Sequence, residues 1–134
     1  MSGVAVVRYL LANHAALTAE VPATRILGGP APLKTALPAI SVAHISGMPR
    51  ITVANDSTKR LHTDRIQVMV HAGSYAAKGP LLALVMAACT GRRGTTNGVD
   101  LDSILPDLEG PDLDEPEAFI FRRSRDFIVR WRST

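Results

Sequence analysis

Two stretches of strict alternation constrain this chain more than any other feature. Between Arg65 and His71, the apolar Ile66, Val68 and Val70 alternate with Arg65, Gln67 and His71, and near the C-terminus Phe127, Val129 and Trp131 alternate with Ile128, Arg130 and Arg132. Successive strand side chains point to opposite faces, so this pattern demands a sheet with one dry face and one polar face. With 134 residues, the chain can close a core over that dry face as a single domain, residues 1–134. A chain of this size buries roughly two-thirds of its unfolded surface without a staple. Hydrophobic residues make up 46% and aromatics only 4%, so the core is expected to consist mainly of Ala, Val, Leu and Ile.

The dry face needs a cover, and two helical patterns supply it. Ser2 is placed to cap a helix whose Val4, Val7 and Leu11 follow i, i+3, i+7 spacing. Asn13 ends it and caps a short turn through Leu17 and Glu20, and Pro22 stops helical structure. The second helix is expected to begin near Pro80 as its first position, with Leu81, Leu84, Val85 and Ala88 on one stripe and Gly91 as the C-terminal stop.

Further strands are expected at Arg25 to Leu27, at Ala39 to Ile45 with Gly47 and Pro49 punctuating its end, and at Val99 to Leu105. Residues 50 to 60 read as a hairpin arm with its tip at Asn55, Asp56, Ser57 and Thr58, and Asn55, Asp56, Lys59 and Arg60 are its candidate contact residues. Arg92 to Gly98 reads as a flexible basic turn. The order α, β, β, β, α, β, β predicts an α+β domain, with two helices on one face of a mostly antiparallel sheet.

Charge is divided unevenly along this framework. Asp100, Asp102, Asp107, Glu109, Asp112, Asp114, Glu115 and Glu117 fall in eighteen residues without a Lys or Arg, leaving fifteen bases against four acids elsewhere. Opposite patches of this kind steer and orient association between subunits. Arg122, Arg123 and Arg125 are candidates to meet the Asp112, Asp114 and Glu115 carboxylates of a neighbour, because guanidinium and carboxylate form planar bidentate pairs. Pairing within one chain is equally permitted.

Catalytic signatures are not found. His14, His44, His62 and His71 have no Cys, carboxylate or second His at ligand spacing, so no metal site is expected. Cys89 lies in the apolar run Leu81 to Cys89 and reads as a buried, reduced thiol. Thr90 to Thr96 lacks the Gly-Lys-Ser/Thr ending and preceding strand of a phosphate loop, and Asp100-Leu101-Asp102-Ser103 only begins a calcium loop. No catalytic residue, cofactor or metal is therefore expected. The apolar run Val4 to Ala12 is interrupted by Arg8 and falls far short of the ~20 residues of a membrane span. A net charge of +3 with scarce aromatics gives only slender support to a basic nucleic-acid-binding module using Arg92, Arg93, Arg122, Arg123 and Arg125.

A succession of short cues resembles the tail completion, or tail terminator, family of long-tailed bacteriophages and prophages. They are Leu10-Leu11-Ala12 with Ala15-Ala16-Leu17-Thr18-Ala19; Arg25-Ile26 before Ala31-Pro32; Leu37-Pro38-Ala39-Ile40; Arg65-Ile66-Gln67-Val68 before Ser74-Tyr75-Ala76; and Phe121-Arg122-Arg123-Ser124 with Asp126-Phe127. Together they cover nearly the whole chain, and Gly79-Pro80 departs from the pattern. The resemblance implies a structural virion protein assembled in the host cytoplasm as a ring, usually a hexamer. Such a ring sits on the head-proximal end of the tail tube, ends tube polymerisation and joins the head-tail connector proteins. DNA would pass through it without specific binding. The arm would then reach the tube protein or a neighbouring subunit. A head completion or connector adaptor protein of the phage neck is the alternative.

Overall fold

A computed structural model describes residues 3–32, 35–49 and 60–132. The α+β expectation holds: six strands form one sheet in the order β1-β2-β3-β6-β5-β4. They are β1 (Ile26–Gly28), β2 (Ala39–Pro49), β3 (Leu61–Ala72), β4 (Gly94–Thr96), β5 (Val99–Glu109) and β6 (Phe121–Arg132). The sheet is mixed, because β1 runs parallel to β2 while the other four pairings are antiparallel. The Gly- and Pro-rich connection after β1 carries the chain back to the same end of the sheet, which a parallel pair requires.

The helices are α1 (Gly3–Ala12), α2 (Ala15–Glu20) and α3 (Lys78–Cys89), one more than the pattern predicts. Val6, Val7 and Leu11 of α1, Leu17 of α2 and Leu81, Leu82, Val85, Ala88 and Cys89 of α3 are buried. They join one cluster with Ile40, Val42, Ile66, Val68, Val70, Phe127, Val129 and Trp131 of the sheet. The alternating positions are thus the core. Asn13 closes α1, its side chain donating to the Tyr9 carbonyl at 2.8 Å, but His14 caps α2, with Nδ1 accepting the Leu17 N–H.

Three boundaries differ from expectation. A 3-10 turn, Ala23–Arg25, follows Pro22 directly, since a fixed φ suits the start of a helical turn as well as the end of one. Helix α3 begins at Lys78, ahead of Pro80, because a missing N–H costs nothing in a first turn whose donors have no helical partner. Residues 94–98 form β4 and a tight hairpin, with Asn97 and Gly98 at φ 51° and 75°, the geometry that Asn-Gly favours between two strands.

Strand β2 also passes through Gly47 to Pro49. Its far half lies at an edge, where proline's missing donor leaves no ladder bond unmade. Gly47 is there because of Asp64: a β-carbon at position 47 would lie 2.5 Å from Asp64 Oδ1. Asp64 is buried on the core side of β3, and its Oδ2 accepts the Gly3 N–H at 3.1 Å and the Trp131 Nε1–H at 2.8 Å. One carboxylate thereby caps the start of α1 and fixes the end of β6, and His62 stacks on the Trp131 ring at 4.3 Å.

Removing this acceptor exposes two donors at once. Asp64→Ala is expected to cost about 2–4 kcal/mol, the sum of a lost helix cap and an unsatisfied buried indole N–H. Asp64→Asn, which keeps one acceptor oxygen, should cost less. Urea unfolding of the two variants checks the order.

Candidate functional site

The buried ammonium of Lys78 organises the acidic segment. Lys78 stands on the core-facing stripe of α3, in register with Leu81, Leu82 and Val85, and its side chain is only 1% exposed. Its Nζ donates to Asp112 Oδ1 and to Asp114 Oδ1, both at 2.8 Å, and lies 4.1 Å from the centre of the Tyr75 ring. Burial works to lower its pKa, but hydrogen bonds to Asp112 and Asp114 outweigh that and raise it. A cation in the first turn of a helix opposes the helix dipole, so these carboxylates are needed twice over.

Asp112 gathers three donors. Besides Lys78, Arg123 binds its Oδ1 through Nε at 2.9 Å and Nη2 at 2.6 Å, and the Tyr75 hydroxyl donates to Oδ2 at 2.9 Å. Hydrogen bonds from Lys78, then Arg123, then Tyr75 hold its carboxyl well below the usual carboxylate range. That contribution is complete above about pH 4 and is lost as pH falls through the folded-state value. Asp114 also accepts the Arg122 backbone N–H at 3.1 Å.

The opposite face of the sheet carries a second polar chain. Arg122 donates from Nη1 to Glu115 Oε1 at 2.8 Å and from Nε to His71 Nδ1 at 3.1 Å, while His71 Nε2 lies 3.0 Å from Ser41 Oγ. A guanidinium can only donate, so Nδ1 must hold a lone pair and Nε2 the proton given to Ser41. Burial, with Arg122 second, lowers the His71 pKa and keeps this ring neutral. Farther along, Arg65 joins Asp107 at 2.6 Å and Asp126 at 3.1 Å.

All six residues expected to serve a subunit contact therefore find partners within one chain. Arg122 pairs with Glu115, Arg123 with Asp112 and, at 3.7 Å, with Glu109, and Arg125 with Glu109 at 3.7 Å. This is the pairing within one chain that the sequence leaves open. Of the expected arm, Arg60 directly precedes β3, while Asn55, Asp56 and Lys59 lie outside the described residues. Lys78, Tyr75, His71 and Ser41 join the network without having been singled out for it. The signal for Lys78 was its place on the apolar stripe.

Burial pushes the Cys89 thiol up to about 12, which leaves it protonated and unreactive. Among the described residues, no group of three or more His, Cys, Asp or Glu could hold a metal ion, and no helix is long and apolar enough to cross a membrane. What the acidic side presents instead is apolar surface. Leu105, Leu108, Leu113 and Phe119 are exposed, and Phe119 sits in the left-handed region at φ 54°, a conformation that is uncommon for a bulky side chain.

Comparison with known proteins gives a likeness of fold. A chain in a solved structure described as the virion of a native gene transfer agent (GTA) particle superposes with a TM-score of 0.69 at 20% identity, over 98% of this chain and 96% of that one. At this identity the likeness establishes a shared fold from end to end. No family model matches the sequence, and no curated protein does.

A neutral His71 makes stability depend on pH near its ordinary value of 6.5. With the folded pKa depressed, the contribution is complete above about 6.5 and falls as the unfolded chain takes up a proton that the folded one refuses. The unfolding midpoint should drop between about pH 7.5 and about pH 5.5, and His71→Gln should flatten that slope. Thermal melts of both proteins across this range check it.

Proposed function

We propose that this chain is a non-enzymatic structural component of a phage-like virion, and that it forms a ring on the head-proximal end of the tail tube. The observation that carries the reading is the fold shared along almost its whole length with a chain of a gene transfer agent virion. The cues along the sequence that resemble tail terminators point the same way. The geometry also suits the role. The acidic segment is tied down on its own body, which gives a rigid surface with exposed leucines in place of a floating charged loop.

The mechanism is steric. A growing tube ends in a surface that recruits the next ring of subunits, and a terminator occupies that surface while presenting an outer face that recruits none. Specific contacts of this kind bury about 1,200–2,000 Å² per pair of partners. Partners in this account are other copies of the chain, the tail tube protein and the head-tail connector proteins, with DNA passing through without specific contact. A lumen free of exposed base-stacking groups and unpaired arginine clusters would let DNA slide.

Purified chain added to polymerising tube protein of its own particle tests the reading. Growth should stop, and tubes should carry density at one end only. Unchanged tube growth together with binding to the portal side would transfer the protein to the adaptor class. Retention on duplex DNA that weakens steeply with salt would favour the nucleic-acid reading.

A further inference from the structure

Both lateral sides of the sheet are half covered, and the register places the bare halves at one level. Strand β1 pairs with β2 over Ile40–Val42 alone, leaving 43–49 without an outer strand among the described residues. Strand β4 pairs with β5 over Val99–Leu101 alone, leaving 102–109 in the same condition except for one bond from the Gly91 N–H to the Ile104 carbonyl at 2.9 Å. Ser46, Arg65, Ile128 and Leu105 form one row across β2, β3, β6 and β5, and Met48, Thr63, Arg130 and Ser103 form another.

Each bare half holds large apolar side chains in solvent. Ile45 and Met48 are 50% and 72% exposed on the β2 side, and Leu105 and Leu108 are 49% and 65% exposed on the β5 side. Neither edge suits addition of a strand, since register shifts interrupt both ladders and Pro49 and Pro106 lack donors. The edges therefore offer side chains. Their charge differs too: Asp107 and Glu109 on the β5 side remain 43% and 50% exposed beside their intrachain partners.

We propose that the occupant of each patch is the other patch on a second copy of this chain, with Ile45 of one subunit packed on Leu105 of the next. The inference rests on the ring reading above and gives it a contact. Two β5 patches brought together would face acid against acid, which disfavours a two-fold pair. Two different patches on opposite sides make a head-to-tail contact, and their common level gives a repeat with little rise, which closure into a ring requires.

Cysteine cross-linking tests the contact, because both positions are exposed and Cys89 is buried and inert. Positions 45 and 105 lie on strands three spacings apart, roughly 14 Å, beyond the ~7 Å Cα separation that a disulfide can span. A bridge in Ile45→Cys/Leu105→Cys protein must therefore join two subunits. Oxidation with and without tail tubes should give a ladder of covalent dimers, trimers and higher species. An equal mixture of the two single variants should stop at dimers, and neither single variant alone should link. Efficient linking of one single variant, or a double variant that stays monomeric in both conditions, overturns the proposal. Native mass spectrometry of the wild-type chain separates the two readings: rings with no 45–105 link sink the contact alone, while linked chains that grow into open filaments sink the ring alone.

Discussion

The structure turns on a single buried cation. An ammonium removed from water is tolerated only where carboxylates replace its hydration, and Lys78 finds two of them, Asp112 and Asp114, at 2.8 Å. Because Lys78 belongs to the core-facing stripe of α3, that requirement holds the acidic segment against the helix that covers the sheet. Arg123 and Tyr75 then converge on Asp112, and Arg122 on Asp114 and Glu115. A segment with eight carboxylates and no base would otherwise repel itself into solvent. Here it becomes a fixed rim.

Asp64 performs the complementary task at the other end of the central strands. It binds the first turn of α1 and the ring nitrogen of Trp131, so the opening helix and the last strand are held to one point on β3. Between these two charged centres the packing is aliphatic, as the shortage of aromatic residues requires. The outer face of the sheet is left polar, with Ser41, His71 and Arg122 bonded in series and Arg65 shared between two aspartates.

Much of this was legible in the chain itself. Alternation at Ile66, Val68 and Val70 and at Phe127, Val129 and Trp131 located the central strands and their buried face, because a period of two has one structural meaning. Helix spacing located α1 and α3 for the same reason. The parallel pairing of β1 was not legible, since three residues carry no directional signal. The Asn97-Gly98 turn was legible in principle but lies beside Arg92 and Arg93, whose charge suggested a solvated loop. The site divides in the same way. Composition marked the acidic segment and the arginines, whereas the decision between pairing within a chain and between chains depends on three-dimensional proximity. Lys78 was concealed because a lysine is ordinarily assigned to solvent, even when the spacing to Leu81, Leu82 and Val85 places it in the core stripe.

In the proposed role this chain is a shaped part of a particle, acting through rigid surfaces. The central claim concerns position, and electron cryo-microscopy of the assembled particle with this chain labelled measures that directly. The account predicts a single ring of density at the head-proximal end of the tail. Label distributed along the tube, at the distal tip, or absent from the particle would contradict it.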